Sequence, residues 1–303
     1  MFFLLFILMV IICQQAKAEQ DDSSFQYAEH LFNHGNYESS LLEYKRFLFD
    51  HSGTDVDDFV RYRIAQGYFY QENSAKVQQM FEELMKTHPD SPLIPHAQLM
   101  LGKSYLDAGE YTSARSNFSK IIHADTDVQL SAQAQYLKSW CYVHEWNWLK
   151  GIAEFRKVGR LRPDTSLSMV SNQLADTTLA NIPLPLKSPG SAQWLSTFFP
   201  GIGQIYVGQR RNGLISAAVN AALIYLAVDA TRDERYVDAV GISLLGLWHN
   251  WRVRSSAKTL AGEHNRKLAM NLIYELKKKS TAFKPMNFEL PEVESIAPAS
   301  LVP

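Results

Sequence analysis

The chain has only two cysteines, Cys13 and Cys141, in 303 residues. It has no excess of either charge: 30 Lys and Arg against 31 Asp and Glu leave a net charge of −1. That balance excludes a nucleic-acid binder that is basic along its whole length. A hydrophobic content of 46% and an aromatic content of 12% exclude an acidic disordered chain. A mean hydropathy of −0.19 excludes a many-pass membrane protein but leaves room for a short membrane-active segment. Catalytic and metal patterns are missing as well. His144-Glu145 runs into Trp and Asn rather than toward a second His, and Asp55-Val56-Asp57-Asp58 lacks the Gly and the spaced Glu of a calcium loop. There is no G-x-S-x-G and no supported Cys–His pairing. The expectation is a non-enzyme without cofactor, metal or nucleic acid.

Residues 1–13 are apolar and uncharged, and Ala16-Lys17-Ala18 supplies small residues at the spacing of a leader-peptide cleavage site. Residues 1–18 therefore read as a secretory signal peptide, with an uncleaved N-terminal anchor as the competing reading. Val10-Ile11-Ile12 before Cys13 does not suit lipidation. Cleavage leaves Cys141 as a single thiol, which has no partner for an internal disulfide.

Residues 22–163 align with themselves at a shift of 37. Ala28, Ala65, Gly102 and Ser139 form a column of small residues. Tyr44, Phe81, Phe118 and Phe155 form an aromatic column, and Phe47, Leu84, Ile121 and Val158 an apolar one. Gly35-Asn36, Glu72-Asn73, Gly109-Glu110 and Trp146-Asn147 mark turns between them, and Pro89 and Pro163 end two copies. The spacing is helical. A small residue on one helix admits the aromatic of the next, and each pair leaves an apolar flank that only another pair covers. The expected fold is all-α, a solenoid of about four helix pairs at about 22–57, 58–94, 95–131 and 132–166.

These columns, clearest in Leu101–Ile122, resemble tetratricopeptide (TPR) repeats, although the usual period is 34. The longer period is similar to that of the periplasmic YbgF-like and BamD-like envelope proteins. The resemblance implies a groove, lined by the first helix of each pair, that binds a protein or peptide. That register puts Tyr62, Gln66 and Phe69 in the groove, then Leu99 and Lys103, then Tyr136, Trp140 and His144. Packing against a neighbouring repeat is the alternative role for each. No Lys/Arg cluster is present to clamp a carboxylate or phosphate, so a segment with an apolar face is the expected ligand.

Beyond residue 165 the repeat is lost. Residues 166–192 read as a capping helix and a Pro-rich linker, 193–254 as a hydrophobic helical hairpin, and 255–303 as an amphipathic helix with a disordered tail. Uncharged runs at 194–208 and 214–228, and a run with one Asp at 237–251, are each about 15 residues, or ~22 Å as helix. Pro200, Gly201, Gly203, Gln204, Tyr206 and Gly208 make a P-G-x-G-Q-x-Y-x-G motif. The motif resembles that of small membrane-hairpin domains appended to TPR modules in bacterial envelope proteins, which implies a membrane location for 194–251. It is not a nucleotide loop: Tyr206 stands where a dinucleotide fingerprint needs Gly, and no Gly-Lys-Ser/Thr follows. Two spans with a secreted N-terminus leave four arginines outside, against the positive-inside tendency. If residues 194–208 also dip into or cross the membrane, the conflict vanishes. The expected function is an interaction scaffold at the inner membrane with its TPR domain in the periplasm. The alternatives are a soluble periplasmic YbgF-like adaptor, whose apolar segments pack as a soluble hairpin, and a factor assisting membrane-protein insertion or outer-membrane assembly.

Overall fold

The computed structural model describes residues 24–282 except 52, 54–55, 125–126 and 164. The expected leader (1–18) and most of the expected tail (283–303) lie outside the described residues. The described residues form thirteen helices and no strand. They fall into two compact units: residues up to Leu179 together with those from Lys279 on, and Ala180–Lys278.

Unit 1 is a TPR-like α-solenoid. Its helices are α1 (24–33), α2 (Tyr37–His51), α3 (Asp57–Tyr70), α4 (Ser74–Thr87), α5 (Ile94–Asp107), α6 (Tyr111–Ala124), α7 (Val128–His144), α8 (Trp148–Leu161) and α9 (Ser166–Ala180). The second helices of the pairs begin at Tyr37, Ser74, Tyr111 and Trp148, each 37 residues after the last. The turns repeat as strictly. Gly35, Glu72, Gly109 and Trp146 all have φ between 57° and 80°, in the left-handed region. In each turn the next residue donates its N–H back across the helix end: Asn36 to Leu31 O, Asn73 to Tyr68 O, Glu110 to Tyr105 O and Asn147 to Tyr142 O, at 2.8–3.1 Å. This six-to-one bond satisfies a helix-end carbonyl and reverses the chain in three residues.

The aromatic column is the centre of the core. Tyr44, Phe81, Phe118 and Phe155 are all 0% exposed, and burying each ring stabilises by about 2–3 kcal/mol. The small column is what admits them: a Cβ at Gly102 would sit 2.6 Å from a ring carbon of Phe118. First helices touch one another, α3 with α5 and α5 with α7, while each also packs on its own partner. Helix α9 closes the array, with Asn172 and Ser168 crowding Gly159 of α8 and Leu174 buried. Cys141 is buried and free, and burial pushes its thiol up to about 12, so it is inert.

Unit 2 holds α10 (Pro189–Phe198), α11 (Ile202–Tyr206), α12 (Arg210–Arg232) and most of α13 (Tyr236–Ala282). The uncharged run 194–208 is not one helix. The Pro200-Gly201 turn splits it, with Gly201 at φ 96°, and the ten residues of α10 rise only ~15 Å. A continuous third pass is therefore absent. Helix α13 runs unbroken for 47 residues, ~70 Å, through the expected boundary at 254/255.

Candidate functional site

Helices α3, α5 and α7 are each packed against two or more neighbours, so their buried residues recur around the helix instead of on one stripe. This decides the fate of the expected groove residues. Tyr62 and Gln66 are 0% exposed. The Tyr62 ring packs 5.7 Å from Phe81 and its hydroxyl points to Met100 Sδ at 3.5 Å. Gln66 Oε1 accepts from Arg63 at 3.0 Å, and Arg63 pairs with Glu29 at 2.7 Å, which also accepts from the Tyr44 hydroxyl at 2.7 Å. Leu99 is buried as well. These three are interior residues in this structure.

Phe69 and Lys103 are half-buried. With Tyr70, Glu72, Ser74, Val77, Ser104 and Asp107 they line a cleft of about 580 Å³ between successive repeats. Lys103 Nζ lies 5.9 Å above the Phe69 ring and pairs with Asp107 one turn on. Tyr70 stacks on Tyr37 at 5.0 Å. An aromatic wall beside one cation and two carboxylates suits an extended or helical protein segment with an apolar anchor and donor groups. The sequence pattern missed Glu72 and Asp107 here. The available signal was their place at the C-terminal ends of α3 and α5, directly after Phe69 and Lys103 in the repeat register.

On α7, Tyr136, Trp140 and His144 form a ladder at four-residue spacing, with ring centroids 6.3 and 6.0 Å apart. Trp140 is its buried rung, set edge-on against Phe155 at 5.7 Å. His144 stacks on Tyr111 of α6 at 5.7 Å and 9°. Tyr136 and His144 remain partly exposed.

In unit 2 the P-G-x-G-Q-x-Y-x-G residues form a tight junction of α10, α11 and α12. A Cβ on Gly201 would meet Gly213 O at 2.1 Å, and one on Gly203 would meet Ala192 O at 1.9 Å. Both glycines are therefore required by backbone contact. Gly203 donates its N–H to Ser196 Oγ at 3.1 Å. Gln204 is buried and accepts from the Ser216 hydroxyl at 2.9 Å. The Tyr206 hydroxyl accepts from the Ser188 N–H at 3.3 Å, and Lys187 Nζ lies 4.8 Å over its ring. Gly208, at φ 99°, ends α11 with the same six-to-one bond as the repeats, Gln209 N–H to Gln204 O at 2.9 Å. No residue of the motif is arranged as a phosphate cradle. Its work is to dock α10 and α11 on the start of α12.

Helices α12 and α13 turn back on each other through Glu234, whose φ is 60°. Leu223 and Gly246 approach across the pair. The buried face of α12 is small and polar: Gly213, Ser216, Asn220 and Ala230. Its large residues point out, Leu214 at 63% exposure, Ile224 at 65% and Tyr225 at 68%. On α13, Ala239, Val253 and Ala257 are buried while Val240, Leu244, Leu247 and Trp248 are exposed. Helix α12 is long and apolar enough to cross a membrane by length and composition.

Among the described residues no group of three or more His, Cys, Asp or Glu could hold a metal ion. The family YfiO, described as an outer membrane lipoprotein, matches residues 54–176. No curated protein matches the chain. Among solved structures, the C-terminal part of a TPR repeat-containing protein from Cytophaga hutchinsonii is similar at 14% identity. The match covers 79% of this chain and 98% of that one, with a TM-score of 0.28.

Proposed function

We propose that the chain is a non-enzymatic protein-interaction scaffold of the bacterial cell envelope. In this reading the solenoid, in the periplasm, takes a protein segment in the Phe69–Lys103 cleft, and the α12–α13 hairpin holds the protein in the inner membrane. One observation carries the anchoring: the hairpin is packed with small and polar residues inside and large apolar residues outside. A soluble hairpin hides its Leu and Trp, because burial removes them from water. In lipid there is no such drive, and helices associate through small residues and hydrogen-bonding side chains. The uncharged stretch 212–228 rises ~25 Å, less than a ~30 Å hydrocarbon core, and flanking arginines and aromatics accommodate such a mismatch. A helical span also favours the inner membrane over the outer, whose spanning proteins are barrels.

A second reading, a factor assisting outer-membrane assembly, is favoured by the match of residues 54–176 to a family described as an outer membrane lipoprotein. It shares the scaffold and differs in the partner.

Membranes separated by density and washed with alkaline carbonate test the anchoring. The expected result is retention in the inner-membrane fraction, and release of the chain by carbonate refutes it. A photo-crosslinking residue at Phe69 or Lys103 is expected to trap a discrete protein partner, and the identity of that partner separates the two readings.

A further inference from the structure

We infer that the base of the α12–α13 hairpin is a binding surface for anionic phospholipid headgroups; the inference rests on the anchoring proposed above and adds which lipid it selects. Residues 177–228 and 239–262 contain no Asp or Glu, yet hold Lys187, Arg210, Arg211, Arg252, Arg254 and Lys258. The Leu223–Gly246 approach sets the antiparallel register and puts Arg211 level with Lys258, and Ile215 level with Arg254. The cations therefore gather at the end of the hairpin away from its turn. The nearest acid along α13 is Glu263, beyond Lys258.

Among the described residues none of these cations is held in an ion pair. Arg235, at the other end of the hairpin, by contrast faces Asp229, Asp233 and Asp238 at 3.2–3.6 Å. Arg252 lies over the Trp248 ring at 5.5 Å. Arg210 and Arg211 also occupy the first turn of α12, where the helix dipole disfavours positive charge. Two like contributions to a positive potential, left uncompensated, call for an anion from outside.

The surroundings identify that anion as a lipid headgroup. Helix α10 docks at the same end, with Ala192 packed against Val207, Ala257 and Ala261. It presents Trp194, Phe198 and Phe199 at 62–67% exposure, with Trp194 stacked on Phe198 at 5.6 Å. Aromatic rings beside unpaired cations, at the edge of an uncharged band, match the headgroup level of a bilayer.

The full chain, reconstituted into phosphatidylcholine vesicles, tests this through quenching of tryptophan fluorescence. Brominated phosphatidylglycerol is compared with brominated phosphatidylcholine at equal fraction. Selectivity for phosphatidylglycerol of about tenfold is expected, reduced by salt. R210Q/R211Q/R252Q/R254Q is expected to bring the ratio close to one while quenching by phosphatidylcholine persists. R232Q/R235Q, at the opposite end, is expected to leave the selectivity unchanged. Equal quenching by both lipids in the unmodified chain overturns the inference and leaves the anchoring intact. Quenching by neither lipid overturns the anchoring itself, and the inference with it.

Discussion

Gly102 and Phe118 give the sharpest test of how the repeat core is built. In three of the four pairs the small column holds Ala or Ser under its aromatic, but here it holds Gly. A methyl group at 102 would sit 2.6 Å from Cε1 and 2.9 Å from Cδ1 of a ring that is 0% exposed and enclosed. Gly102→Ala gains helix propensity of about 1 kcal/mol, since Gly is the poorer helix former. Overpacking works against it by about 1–3 kcal/mol, because α5 and α6 must separate or the ring must leave its rotamer. The net expectation is destabilisation of roughly 0–2 kcal/mol. Phe118→Leu alone loses about 1–2 kcal/mol of buried area. In G102A/F118L the new methyl group enters space the ring has vacated, and the propensity gain returns. The double variant is expected to be at least as stable as F118L, a favourable coupling of about 1–3 kcal/mol. Hydrogen exchange of the α5 and α6 peptides, in the detergent-solubilised full chain, reads the local opening free energy. Additivity within about 0.5 kcal/mol would show that the two residues do not compete for the same volume.

The left-handed turn column predicts opposite signs at two equivalent positions. Glu72→Gly, at an exposed residue with φ 57°, is expected to slow exchange in α3 and α4 by roughly 0.5–1 kcal/mol, whereas Gly109→Ala is expected to destabilise α5–α6 by about 1 kcal/mol; equal signs refute the turn argument. His96 supplies a pH dependence. Burial holds its pKa below the ordinary 6.5, with Asp127 opposing in part, and its Nδ1 has no partner among the described residues. The unfolded chain then takes up the proton first, so stability falls as pH drops below about 6.5 and is unaffected above 7. His96→Gln is expected to flatten that dependence in the α5 peptides, and an unchanged slope would rule out His96 as its source.

The solenoid was legible because its physics is periodic. Ala28 through Ser139 and Tyr44 through Phe155 recur at 37 residues since the same helix approach recurs, and the turn at Gly35 returns at Glu72 and Trp146 although neither is glycine. The groove was less legible. Tyr62, Gln66 and Leu99 sit on first helices that have neighbours on several sides, so the face assigned to solvent is another contact. Phe69 and Lys103 escaped this because they lie near the ends of α3 and α5, where a cleft opens between repeats. In unit 2 α13 continues through the expected boundary at 254/255, because a change from apolar to charged side chains does not interrupt main-chain hydrogen bonds.

By itself the sequence determined the period, the all-α class, the small-under-aromatic core and an uncharged band flanked by arginines. Each follows from a repeated local pattern or from a charge count along the chain. Only the tertiary structure decided which aromatic residues face inward, that Gly201 and Gly203 answer to the carbonyls of Gly213 and Ala192, and that α12 and α13 turn their large side chains outward. Those depend on which surfaces meet across tens or hundreds of residues, and a contact between distant segments leaves no spacing to read.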